Sequence, residues 1–120
     1  MRFLPVRLQP YVHRGYVLFV SSRRSVSGAG GAGQCGSGVE DYLNVVDVQN
    51  PGRVKARFLV GSCVENIELA DVNRFEDFQS FRVEGGRLGI RFLSYDDRCG
   101  EDLTAFSNAD FKGLRFVSSC

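Results

Sequence analysis

The feature that most limits how this chain can fold is a strict alternation of polar and apolar residues in two short segments. Arg53-Val54-Lys55-Ala56-Arg57-Phe58 sets Val54, Ala56 and Phe58 on one face and three cations on the other. Arg87-Leu88-Gly89-Ile90-Arg91-Phe92 repeats the arrangement, with Leu88, Ile90 and Phe92 as the apolar set. A period of two is the periodicity of a β-strand, whose successive side chains point to opposite faces. A helix would scatter the same residues around its circumference.

Turn chemistry divides the remaining chain into hairpins. Glu40–Val48 is expected to pair with Arg53–Val60 across Gln49-Asn50-Pro51-Gly52, where Pro-Gly marks a tight turn. Ser80–Glu84 is expected to pair with Arg87–Ser94 across Gly85-Gly86, a two-residue hairpin loop. Leu103–Ser107 is expected to pair with Leu114–Ser118 across Asn108–Gly113, and a short strand falls near Val64–Leu69. The fold class predicted is all-β: an antiparallel meander of about six to eight strands, closed as a small sandwich or barrel. At most one short helix is expected. Leu69, Val72, Phe75 and Phe78 recur every three residues around Asp71, a candidate N-cap. Their apolar side chains are expected to plug one end of the sheet layer.

Charge divides the chain in two. Residues 1–38 hold five arginines and no acid, whereas residues 39–120 hold ten basic and fourteen acidic residues. The first part is therefore expected to be a targeting segment or flexible tail, and residues 39–120 the folded domain. Within residues 1–22, Arg2, Arg7 and the apolar run Gly15–Val20 carry the ingredients of a signal peptide, although Arg14 interrupts them. A genuine first strand over Gly15–Ser21 is the alternative. Ser25–Gly38 reads as a glycine-rich linker. It contains the spacing of a dinucleotide-binding loop from Gly28 to Gly33, but no room is left for the helix whose N-terminus would meet the phosphates.

Four cysteines, Cys35, Cys63, Cys99 and Cys120, stand far apart, without the close pair that a structural zinc knuckle uses. Hairpin geometry chooses among their three pairings. A turn centred near Asn50-Pro51 puts Cys63 opposite Gly38, three residues from Cys35. A turn centred near Asp110 puts Cys99 within one residue of facing Cys120. The disulfides expected are Cys35–Cys63 and Cys99–Cys120, each closing one hairpin. Such bridges persist in oxidising compartments, so a periplasmic or secreted location is expected. A 120-residue chain buries only about two thirds of its unfolded surface, which makes such staples useful.

A search for chemistry finds little that is specific to catalysis. His13 is the single histidine and lies in the basic N-terminal part, so Ser-His and Cys-His pairs have no base in residues 39–120. Adjacent acids such as Glu40-Asp41 would point to opposite faces of a strand. The protein is not expected to be an enzyme; the exception weighed is a minimal hydrolase using Asp96, Asp97 or Glu101. The densest cluster is Tyr95-Asp96-Asp97-Arg98-Cys99-Gly100-Glu101-Asp102. Calcium at Asp96, Asp97, Glu101 and Asp102 is a minor reading, because the spacing departs from the D-x-D-x-D-G ladder. No cofactor is otherwise expected. Arg53, Lys55, Arg57, Arg87 and Arg91 are expected on solvent faces, where they discourage edge-to-edge association or form an anion-binding sheet face.

The function these features predict is that of a small exported, non-catalytic binding protein of the inhibitor or immunity type. Its partner is expected to be a protein, such as a cationic hydrolase or toxin, met by Tyr95, Asp96, Asp97, Glu101 and Asp102. Neither nucleic acid nor a membrane span is expected, since residues 39–120 are acidic and no apolar run is long enough. The alternative is a small-ligand or glycan module with a pocket lined by Tyr42 and Tyr95.

Overall fold

Alternation, turns and cross-strand packing combine in a computed structural model of the chain, which describes residues 2–24, 39–62, 67–70, 77–95, 103–107 and 113–117. These form nine strands: β1 Arg2–Phe3, β2 Tyr16–Arg24, β3 Val39–Asp47, β4 Val54–Gly61, β5 Ile67–Leu69, β6 Phe81–Glu84, β7 Arg87–Tyr95, β8 Leu103–Ser107 and β9 Leu114–Phe116. Two 3₁₀ turns, Val6–Leu8 and Val12–Arg14, lie between β1 and β2.

The three hairpins foreseen from turn chemistry are all present. β3 pairs with β4 across the Pro51-Gly52 turn, and β6 pairs with β7 with Glu84 opposite Arg87. Gly85 and Gly86 both take positive φ, 62° and 76°, which a two-residue turn requires and a β-carbon resists. In the third hairpin Ala105 faces Phe116 and Ser107 faces Leu114. All four cysteines, and with them the expected bridges, lie outside the described residues. So do residues 71–76, where one or two helical turns were expected; Leu69 and Phe78, on either side, are buried.

Two antiparallel sheets result. The first runs in the order β1-β2-β3-β4, and the second in the order β5-β7-β8-β9 with β6 also on β7. β5 and β6 follow one another along a single edge of β7, opposite β8. Ser62, just beyond β4, exchanges both backbone hydrogen bonds with Ile67 at 2.9 and 2.8 Å, which joins the sheets. A single core fills the space between them. Leu18, Leu43, Val45 and Val60 come from the first sheet and Leu88, Ile90 and Phe92 from the second, all without solvent exposure.

The expectation that residues 1–38 form a tail or targeting segment does not hold for residues 2–24. β2 pairs with β3 along its whole length, from Tyr16 opposite Asp47 to Arg24 opposite Val39. Leu4, Leu8, Tyr11, Leu18 and Val20 belong to the core. Arg14 and the short apolar run obscured a strand in which alternate residues are buried. The two strands of this segment also raise the number from the seven supplied by residues 39–120 to nine.

Residue 9 shows how closely the segment is fitted. Gln9 Oε1 accepts from the Leu18 backbone N–H at 2.8 Å, and Gln9 Nε2 donates to the carbonyls of Leu18 and Leu4 at 2.9 Å each. The side-chain amide thus continues the ladder on the open edge of β2 beyond the two residues of β1. Unpaired edge groups there would otherwise rely on water.

One element of the alternation is corrected by a β-bulge. Val45 faces Ala56 but Val46 faces Val54, so Lys55 is an extra residue on β4. Val54 therefore shares the outward face of Val46 and is exposed, rather than joining Ala56 and Phe58 beside the core. On the second sheet the alternation holds throughout Arg87–Phe92. Gly89 faces Phe106, whose ring lies where a β-carbon would stand, 2.8 Å from it. The Arg87 guanidinium covers that ring at 4.4 Å, so Phe106 is buried on the face turned away from the core.

Candidate functional site

The outward face of the first sheet assembles the most concentrated set of interacting polar side chains among the described residues. Strand pleating places Leu18, Val20, Leu43, Val45 and Phe58 inward, and so turns Phe19, Ser21, Arg23, Tyr42, Asn44 and Arg57 outward. Phe3 of β1 joins them, 55% exposed, its ring centroid 5.5 Å from that of Phe19.

At the centre stands Asn44, which has no solvent exposure although it faces away from the core. Its Nδ2 donates to Ser21 Oγ at 2.9 Å and to the Phe19 carbonyl at 3.3 Å. Its Oδ1 accepts from Arg57 Nε at 2.9 Å. A fully buried amide needs such partners, and in meeting that need it fixes the Arg57 guanidinium. Arg57 lies 5.5 Å from the Tyr42 ring centroid, and Arg23 lies 5.6 Å from it. One tyrosine ring is thereby held by two guanidiniums, each at cation–π distance. The Tyr42 hydroxyl donates to Glu40 Oε1 at 3.2 Å, and Ser62 Oγ donates to Glu40 Oε2 at 3.4 Å. Arg23 Nε is 3.8 Å from Glu40 Oε1, at the outer limit of an ion pair whose cationic side chain is 60% exposed. Arg57 is thus anchored by Asn44, and both Arg23 and Arg57 are reachable from solvent.

Asp41 turns the other way from Glu40. It is 2% exposed, accepts from Ser22 Oγ at 2.5 Å, and lies against Gly61, where a β-carbon would come within 2.6 Å of Asp41 Oδ2. The adjacent acids thus sit in separate environments, as strand geometry requires. His13 is exposed on the second 3₁₀ turn.

Of the expected partner-binding residues, Tyr95 is described, and Asp96, Asp97, Glu101 and Asp102 lie outside the described residues. Tyr95 is half-buried. Its hydroxyl donates to the Leu59 carbonyl at 3.2 Å, and its ring meets Phe92 and Phe116 edge-on at 4.9 and 4.8 Å. It ties β7 to the open edge of β4, a structural task that the sequence did not reveal. Arg53, Lys55, Arg57, Arg87 and Arg91 are all exposed, as expected. Arg23 was missed because it was assigned to a tail; the strand-length apolar run ending at Val20 was the available signal.

Residues 2–24 bring five arginines and no acid to the net −4 of residues 39–120, and the two together carry +1. Inclusion of residues 2–24 in the fold is what reverses the sign. Among the described residues, no three His, Cys, Asp or Glu side chains gather where they could hold a metal ion. No helix among them is long and apolar enough to cross a membrane. In comparisons with protein-family models, curated proteins and solved structures, no match was found.

Proposed function

We propose that this protein is a small non-catalytic binding domain of the inhibitor or immunity type, and that it grips an acidic surface of a partner protein through the Arg23–Tyr42–Arg57 face. The observation that carries this reading is the pair of guanidiniums at cation–π distance from one tyrosine ring, with Phe3 and Phe19 beside them. Arg, Tyr and other aromatic residues dominate the energetics of protein interfaces, and groups ordered before binding lose less entropy on association. Two cations gathered on one face favour an anionic partner surface and speed its approach. Export and the bridges Cys35–Cys63 and Cys99–Cys120 belong to the same proposal, since a stapled scaffold suits an extracytoplasmic binder.

The test is a pull-down from envelope extract followed by affinity measurement on the identified partner. Arg23→Gln and Arg57→Gln are each expected to weaken binding about tenfold, or ~1.4 kcal/mol. Raised salt is expected to slow association. Unchanged affinity in both variants would overturn this face as the contact. Affinity lost instead in a variant carrying Asp96→Asn, Asp97→Asn and Glu101→Gln would assign the contact to the acidic segment after Tyr95 and a cationic partner.

A further inference from the structure

β4 forms one edge of the first sheet and pairs there with β3 alone. The ladder shows which of its backbone groups face outward. The Val48 N–H donates to the Gly15 carbonyl at 2.9 Å, on the β2 side of β3. Backbone groups alternate in direction along an antiparallel strand, so Val46, Asn44 and Tyr42 also turn theirs toward β2. Asn44 faces Arg57, and Tyr42 faces Leu59. The N–H and carbonyl groups of Arg57 and Leu59 therefore point away from β3, to the open edge. The Leu59 carbonyl accepts there from the Tyr95 hydroxyl at 3.2 Å. The Arg57 N–H and carbonyl have no partner among the described residues.

Such an edge accepts one more strand, and its charge decides which. Lys55 and Arg57 are exposed, and among the described residues neither has a carboxylate within ion-pair distance. A second copy of β4 would set these cations against their own kind, whereas an acidic strand neutralises them. The Lys55 bulge at one end and the Tyr95 hydroxyl at the other centre the available pairing on Arg57.

Pleating fixes what the added strand must carry. A residue opposite Arg57 projects outward, beside the guanidinium that Asn44 Oδ1 holds at 2.9 Å. Its two neighbours project to the inner side, beside half-buried Ala56 and buried Phe58. The pattern selected is an acid between two apolar residues. Main-chain hydrogen bonds then supply affinity, and alternate side chains supply specificity.

We propose that β4 receives an extended segment of the partner protein as an additional strand, with a carboxylate at Arg57 and an apolar residue on either side of it. This rests on the reading of the Arg23–Tyr42–Arg57 face as a grip for an acidic surface, and it adds how the partner presents its acid.

The experiment titrates the ¹⁵N-labelled full chain with the capped peptide acetyl-Thr-Val-Glu-Val-Thr-amide, followed through amide shifts and hydrogen exchange. Three relatives are compared: one N-methylated at Glu, one N-methylated at the second Val, and one with Gln in place of Glu. The parent peptide is expected to shift the Arg57 and Leu59 amide signals and to slow exchange at Arg57. One N-methyl peptide is expected to bind at least about tenfold more weakly and the other like the parent, because only one of the two nitrogens faces β4. Loss at Glu reports antiparallel addition, and loss at Val reports parallel addition. Equal binding of both N-methyl peptides, whether full or reduced, overturns strand addition and leaves the face itself standing. A Gln peptide that binds as well as the parent overturns the acidic grip on which the proposal rests. The proposal also fails if millimolar parent peptide leaves Arg57 and Leu59 unshifted. Shifts at these residues that grow with protein concentration alone would name a second copy as the occupant and overturn it.

Discussion

The Tyr11 hydroxyl lies 2.5 Å from Ser107 Oγ and donates to the Ser107 carbonyl at 3.1 Å, joining residues 96 positions apart. The same oxygen accepts from the Leu88 backbone N–H at 3.3 Å. Tyr11 and Ser107 are both buried, so the N-terminal segment is locked to β7 and β8 by a polar contact within the fold. Removal of a partner from a buried hydrogen-bond group costs about 1–3 kcal/mol. Tyr11→Phe is therefore expected to lower the unfolding free energy from denaturant titration by that amount, and Ser107→Ala by less. A double-mutant cycle is expected to show coupling between them, whereas strictly additive losses would mean that the contact contributes nothing.

Removal of residues 1–24 is expected to abolish folding. The deletion strips β1 and β2, exposes one edge of β3, and removes Leu4, Leu8, Tyr11, Leu18 and Val20 from the core. Single buried leucines are worth about 2–5 kcal/mol each, against a total stability of about 5–15 kcal/mol. Circular dichroism and amide dispersion of the truncated chain check this. A cooperatively melting product would show that residues 39–120 stand alone.

Gln9 makes a distinction between amide and acid that a purely steric role would not. Its Nε2 donates to two carbonyls while its Oε1 accepts from one N–H. Gln9→Glu keeps the shape but, when ionised, sets a negative oxygen against the Leu4 and Leu18 carbonyls. A loss of about 2 kcal/mol or more is expected near neutral pH, larger than for a solvent-exposed Gln→Glu change. Thermal melting checks it, and a loss within about 0.5 kcal/mol would place no weight on the amide.

Gly89→Ala is expected to destabilise by about 1–3 kcal/mol, because the new methyl meets the Phe106 ring at 2.8 Å. Gly52→Ala, at a site with nothing within 4 Å, serves as the comparison and is expected to cost much less. Equal midpoints for the two variants would show that the ring moves aside freely.

The cysteine pairing is open to direct mapping. A digest under non-reducing conditions is expected to yield peptides joined as Cys35–Cys63 and Cys99–Cys120. Reduction is expected to remove about 3 kcal/mol of stability for each bridge. Recovery of free thiols throughout, or of a different pairing, would overturn the arrangement.

The hairpins were legible from the sequence because their causes are local. Pro51-Gly52 and Gly85-Gly86 set turns without reference to the rest of the chain, and the alternation of Arg87–Phe92 fixes which side chains face inward. The same local rules stopped at the bulge, where one extra residue, Lys55, sends Val54 outward. A bulge depends on how two strands fit, not on either alone. Residues 2–24 were the larger loss. Their arginines resemble an address when read in order, and only pairing with β3, the Gln9 amide on Leu18 and the Tyr11 bond to Ser107 make them part of the fold. That pairing also reversed the charge of the folded body and brought Arg23 beside Tyr42 and Arg57. Alternation and turn residues determined that the chain would form antiparallel sheets; long-range registration decided which segments belong to them. It also decided which face carries the cations, because such contacts join residues whose proximity no local pattern encodes.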